Sequence, residues 1–174
     1  MIGPGKYNDL DTLLTIEHEA FQSDRISRGQ MQKYLRNNGT TWFLLVGRSE
    51  ENCHYPDCSC DTWAEGRTMM GKCGKPTCDG YILILMNKLH KAGRIHSYAI
   101  HSRARGTGLG ERLIEFAADF GKQGYKLTAL RTEVRADNPY ALSRYEKSGF
   151  RRVGGKPSYY SDGCDSISFE RAFA

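Results

Sequence analysis

The segment HSRARGTGLGERLIEFA, residues 101–117, places glycine at positions 106, 108 and 110, directly ahead of an amphipathic run. Glycine packs no side chain and loses more backbone entropy on folding than any other residue, so three at alternate positions imply that the main chain itself passes close to something. From Leu109 the apolar residues recur at Leu113, Phe116, Ala117 and Phe120, the spacing of a helix with one buried face. The glycines then precede or form its first turn, where up to four N–H groups lack an intrahelical acceptor and the helix dipole favours an anion. A phosphate fits such a cradle, with Arg103 and Arg105 near it in sequence to add positive charge. The alternative is a turn whose glycines only let helix and strand pack tightly. Two other phosphate-binding patterns fail on spacing. The dinucleotide fingerprint wants glycine where this chain has Glu111, and the Gly-Lys-Ser/Thr of a P-loop is absent.

A chain of 174 residues fits one domain with a substantial core. The excess of 25 basic over 20 acidic residues gives a net charge of +5, which suits an anionic cofactor, and no polybasic run argues for nucleic acid. The longest apolar stretch, YILILM at 81–86, is far short of the roughly 20 residues that span a bilayer, so no membrane association is expected. The first residues, MIGPGKYNDLDTLL, have neither the charged nor the apolar region of a secretory signal, and the expected location is cytoplasmic.

Helix and strand signals alternate along the chain. NDLDTLLTIEHEAF carries apolar residues at 10, 13, 14, 16 and 20 and predicts a first helix; SRGQMQKYLRN predicts a second. TTWFLLVG and GYILILMNK read as strands, and IHSYAIHS, after the turn HKAGR, as a third. Beyond the glycine helix, KLTALRTEV is another strand. In NPYALSRYEKSGF, Asn138 is placed to cap a helix that opens with Pro139 and closes at Gly149. FRRVG and DSISFERA finish as strands. The order predicts an α/β (α+β) fold, a single-layer mixed sheet flanked by helices.

RGTGLG at 105–110, LRTEVRADNPYALSRYEKSGF at 130–150 and YYSDGCD at 159–165 together resemble the GNAT superfamily of acetyl-CoA-dependent N-acetyltransferases. Within it they are most similar to the bacterial ribosomal-protein alanine N-terminal acetyltransferase group. The resemblance runs from about residue 8 to the end, except for roughly 49–79. It implies a sheet that parts between two strands to admit acetyl-CoA, with the pyrophosphate on the loop of Arg105, Gly106, Thr107, Gly108, Leu109 and Gly110. It also implies that the main chain of Tyr98, Ala99 and Ile100, together with Asn138, holds the pantetheine arm. A strand N–H facing the thioester oxygen would stabilise the charge that grows there, typically worth ~2.7 to 4 kcal/mol.

An acceptor amine must lose a proton before it attacks, and a departing thiolate is helped by gaining one. By the same resemblance Glu133 is the general base and Tyr145, twelve residues on, the general acid. Read structurally, Glu133 would instead pair with Arg131 or Arg135, and Tyr145 would be a core aromatic beside Ala141 and Leu142. Tyr159 and Tyr160 match a tyrosine pair that holds the first residues of a peptide substrate, or they cover the core. The acceptor implied is a primary amine, such as a protein N-terminus; a small amine, or a non-catalytic acetyl-CoA-binding module, are the alternatives. His18, His90, His96 and His101 sit in no metal-binding spacing and read as solvated or packed.

The chain departs from the family at RSEENCHYPDCSCDTWAEGRTMMGKCGKPTCDG, a Cys-rich insertion at 49–79 that holds five of the six cysteines. Cys58, Cys60, Cys73 and Cys78 are candidate zinc ligands in a long polar loop that needs some staple. The spacing contains no C-x-x-C pair, which leaves disulfides or free thiols as alternatives.

Overall fold

In the computed structural model, which describes residues 2–36, 39–47, 78–87 and 89–173, the described residues form seven strands and four α-helices. The strands are β1 (Ile2–Pro4), β2 (Thr41–Gly47), β3 (Cys78–Asn87), β4 (Ala92–Ile100), β5 (Ala129–Arg135), β6 (Arg151–Lys156) and β7 (Ser166–Ala172). The helices are α1 (Leu10–Ala20), α2 (Arg28–Arg36), α3 (Leu109–Asp119) and α4 (Pro139–Lys147). One mixed sheet results, in the order β1-β2-β3-β4-β5-β7-β6, as the alternation of signals predicted. Only β4 and β5 run parallel, because α3 supplies the crossover that a parallel pair requires.

The YILILM run reads as continuously apolar because it is buried on both faces. Ile82 and Ile84 join Leu113, Ile114, Leu130 and Phe169 under α3 and α4, while Tyr81 and Leu83 join Leu13, Ile16 and Met31 under α1 and α2. Each such aliphatic side chain contributes ~1.5 to 3 kcal/mol by burial. The short β1 and the π-helical turn Phe120–Gly124 that extends α3 carry no sequence signal strong enough to announce them.

The parallel pair is incomplete. β4 and β5 are bonded from Ala92↔Ala129 to Ile95↔Thr132 and then separate, although β4 continues to Ile100 and β5 to Arg135. A β-bulge marks the parting point: Leu83 of β3 faces Ser97 and Ile84 faces Ile95, which leaves His96 as an extra residue on β4. A bulged strand bends and twists more strongly, and β4 is thereby turned away from β5, which stays paired with β7 along its whole length.

The insertion leaves the sheet at Gly47 and re-enters at its partner Cys78. Cys58, Cys60 and Cys73 lie outside the described residues. Of the four zinc candidates only Cys78 lies within the described residues. It is the first residue of β3, 1 % exposed, with its thiol donating to the Gly80 carbonyl at 3.2 Å. Burial pushes that thiol up to about 12. Among the described residues no group of three or more His, Cys, Asp or Glu side chains could hold a metal ion.

Candidate active site

The parted strands open into a cavity of about 550 Å³, lined from β4 by Ile95 to Tyr98, from β5 by Thr132 to Arg135, and by Asn138, Ala141 and Tyr145 at and in α4. α1 and the loop after it supply Glu17, Phe21, Asp24 and Ile26, and the β6–β7 connection supplies Tyr160 and Asp162. The gap passes through the sheet and has two chemically different sides.

On the α3/α4 side lies the glycine turn. Gly106 and Gly108 have φ of +77° and +78°, a backbone conformation that L side chains rarely adopt, and a Cβ on either would meet nothing within 4 Å. Thr107 fastens the turn by donating from Oγ1 to the Ala104 carbonyl at 2.7 Å. Gly108 is the N-cap of α3 and offers no side-chain oxygen to the first-turn N–H groups, which stay open to an outside acceptor. Gly110 has a different cause. A Cβ there would come within 2.5 Å of Arg144 Nη1 and nearer still to Tyr98 Oη, so this glycine lets α3, β4 and α4 close together. Of the two explanations for the glycine triplet, tight packing accounts for 110, whereas 106 and 108 are set by a positive φ with open space around them. Arg105 turns its Nε to the Ile100 carbonyl at 3.2 Å, whereas Arg103 is drawn to Asp79, Nε to Oδ1 at 2.6 Å. Leu109 packs on the core at the mouth of the turn.

Asn138 caps α4 as expected, its Oδ1 accepting the Ala141 N–H at 3.0 Å. Tyr145, one turn further along α4, is 4 % exposed and packed against Tyr98, Phe150 and Phe169 at centroid distances of 6.4, 5.2 and 6.1 Å. Tyr145 shares the cavity wall with Thr132, whose own hydroxyl donates to the Ile95 carbonyl at 3.3 Å, at the last bonded rung of β4 and β5. Burial, and then the neighbouring Tyr98, hold its proton in place far into the alkaline range. Burial also pushes Tyr98 up to about 12.

Glu133 stands on the opposite side, because side chains alternate along β5. Its partners are not the nearby arginines of its own strand. Oε2 accepts from Arg94 Nε at 2.7 Å and Oε1 from Lys156 Nζ at 2.8 Å. Burial raises its carboxyl, but Lys156 and Arg94 more than offset this and hold it below the usual carboxylate range. Arg131 instead pairs with Glu170, and Arg135 with Asp137 and Asp162. The two tyrosines divide their work. Tyr159 Oη accepts from Arg94 Nη2 at 2.6 Å on the rim, while Tyr160 lines the cavity, donates to the Glu133 carbonyl at 3.3 Å and lies under Arg135. Burial pushes Tyr160 up to about 12.

Sequence reasoning passed over Glu17 on this side and read His96 only as solvated or packed. Glu17 is 1 % exposed and accepts from Ile26 N at 2.8 Å, from Tyr81 Oη and from Ser97 Oγ at 3.3 Å. His96, the bulged residue, also lines the cavity. An acidic residue on an apolar helix face, at Glu17, was a usable signal; the bulge had none.

Fold and site define a class: a mixed sheet whose one parallel pair parts over a cavity walled by α4 and by the loop after α1. The chain belongs to the Acetyltransferase (GNAT) family, whose model matches residues 31–150. It is 35% identical over 78 residues to the N-alpha-acetyltransferase RimI of Mycobacterium tuberculosis, a stretch covering 44% of this chain and 47% of that one. It is 31% identical over 83 residues to an N-alpha-acetyltransferase of Saccharolobus solfataricus, covering 48% and 50%. The chain thus spans about half the length of these relatives. The fold resembles the ribosomal-protein-S18-alanine N-acetyltransferase of Escherichia coli, with a TM-score of 0.76 at 18% identity, covering 100% of this chain and 94% of that one. It also resembles a chimera of the spermidine N-acetyltransferase SpeG from Vibrio cholerae, with a TM-score of 0.74 at 16% identity, covering 99% and 96%. Among the described residues no helix is long and apolar enough to cross a membrane.

Proposed function

We propose that this protein is an N-acetyltransferase that moves the acetyl group of acetyl-CoA to a primary amine, the amino terminus of a protein or peptide. The observation that carries the reading is the gap itself: an uncapped, glycine-lined helix start on one side, and ionised groups around an open cavity on the other, meeting where β4 leaves β5. The residues present fit acetyl-CoA. Backbone N–H groups of 105–110 would hold its phosphates, the unpaired edge of Tyr98 to Ile100 would hold the pantetheine amides, and Asn138 flanks them. When bound, acetyl-CoA supplies an activated thioester. The chain's own groups do the rest. Tyr145 keeps a proton on its hydroxyl beside Thr132, where a departing sulfur needs a donor. Glu133, ionised between two cations, draws an ammonium toward the gap, and Tyr160 lies along the path of a peptide. The N-alpha-acetyltransferase relatives favour an N-terminal acceptor.

A small polyamine is the second reading, favoured by Glu17 and Asp24. These are carboxylates of the cavity wall that pair with no cation among the described residues. Mass-detected transfer from acetyl-CoA to a panel of N-terminal peptides and small amines decides between them: a peptide gains one acetyl group under the first reading, spermidine under the second. No acetylation, with CoA still bound, would leave a binding module.

The two kinds of glycine should separate in the same protein. Gly110→Ala forces Tyr98 and Arg144 to move and is expected to destabilise by ~1 to 3 kcal/mol, seen as a lower Tm. Gly108→Val strains one left-handed residue by roughly 1 to 2 kcal/mol and crowds the cradle, so its larger effect should be on CoA affinity by calorimetry. Unchanged affinity in Gly108→Val would overturn the phosphate role of the turn.

A further inference from the structure

Of the carboxylates and imidazoles that line the cavity, Asp24 accepts from Ser161, and Asp137 and Asp162 from Arg135, which leaves Glu133, Glu17 and His96 to weigh. Both oxygens of Glu133 are occupied by Arg94 and Lys156. The oxygens of Glu17 are occupied by Ile26, Tyr81 and Ser97, in a nearly inaccessible pocket. His96 differs in position and in what it has free. As the extra residue of the bulge it sits at the point where β4 departs from β5, it lines the cavity, and it is exposed. Tyr34 of α2 fixes the ring edge-on at 5.4 Å, with its Oη 3.3 Å from Nε2. Among the described residues Nδ1 has no partner.

We propose that His96 accepts the proton of the acceptor ammonium, and that Glu133 serves as the charge that brings the ammonium to it. The inference rests on the acetyl-transfer reading above. In the step, an N–H bond of the ammonium breaks, its electron pair stays on nitrogen and the proton passes to the imidazole. The amine nitrogen then bonds to the acetyl carbon while the carbon–sulfur bond breaks. The sulfur leaves with that electron pair and takes the Tyr145 proton, the surplus proton on the new amide nitrogen passes to the Tyr145 oxyanion, and the imidazolium releases its proton to solvent. The charged and titratable groups facing His96 are Tyr34 on α2, Arg94 on its own strand and Glu133 on β5. Burial, then Arg94, lower the imidazole from its usual value of 6.5, with Glu133 opposing, so the ring is neutral and able to accept at pH 7.

The test uses the full chain, acetyl-CoA and the same peptide and amine panel, with Tm measured alongside. His96→Gln is expected to lower kcat about a hundredfold at pH 7, with KM for the acceptor little changed, in the range typical of general bases. The wild-type rate should fall as pH drops through the His96 value below 6.5, and this acid limb should vanish in His96→Gln. His96→Gly should recover activity when imidazole is added, which a packing role against Tyr34 does not produce. A His96→Gln enzyme that keeps more than half of kcat, or retains the acid limb, overturns the proposal, as does a folded His96→Gly enzyme that imidazole leaves inactive. If the wild type acetylates nothing in the panel, the transferase reading falls and the role of His96 with it. If the wild type is active and His96→Gln equally so, only the role of His96 falls.

Discussion

Tyr145→Phe should cost about a hundredfold in kcat while lowering Tm by only about 2 to 4 °C, the shift that ~1 kcal/mol produces in a domain of this size. The two effects separate because the ring and the hydroxyl of Tyr145 have different jobs. The ring fills the space between Tyr98, Phe150 and Phe169, and phenylalanine preserves those contacts. The hydroxyl of a buried tyrosine contributes at most one hydrogen bond's worth of stability, ~1 kcal/mol net. Tyr145→Ala removes ring and hydroxyl together and should destabilise by ~3 to 5 kcal/mol, which makes it useless for judging catalysis. Steady-state kinetics and thermal melting of both variants check the separation. Full activity in Tyr145→Phe would mean that the departing sulfur needs no donor from α4.

Glu133→Gln should act mainly on acceptor affinity, raising KM by about ten- to a hundredfold. A charge-assisted hydrogen bond is worth ~1.5 to 3 kcal/mol, and every 1.4 kcal/mol is tenfold. Loss of the carboxylate also leaves Arg94 and Lys156 beside the cavity wall without their counter-charge, and they then repel an incoming ammonium. Salt should therefore lower the KM of Glu133→Gln while raising that of the wild type, since screening weakens repulsion in one and attraction in the other. Because the Glu133 carboxyl is held below its usual range, the attraction should persist at pH values where an ordinary glutamate is already protonated. An unchanged KM with a collapsed kcat would return the proton-accepting role to Glu133.

What could be read from the chain alone is what depends on near neighbours. The face of α3 follows from the spacing of Leu113, Phe116 and Ala117, and the cap of α4 from Asn138 followed by Pro139, because helical hydrogen bonds connect residues three or four apart. The central position of β3 follows from an unbroken apolar run, and the mixed sheet from the order of elements. The chain's family was legible through three motifs. What the tertiary structure decided was set by pairings distant in sequence. Glu133 meets Arg94, 39 residues earlier, and Lys156, 23 residues later, so its ion pairs were invisible to any local pattern. Gly110 differs from Gly106 and Gly108 only through Tyr98 and Arg144, which arrive from another strand and another helix. His96 is an ordinary strand residue until the register of β3 against β4 makes it the extra one, and that register places an imidazole where the sheet opens. Periodicity specifies which face of an element is buried; only the assembled sheet specifies which polar side chains meet across its gap.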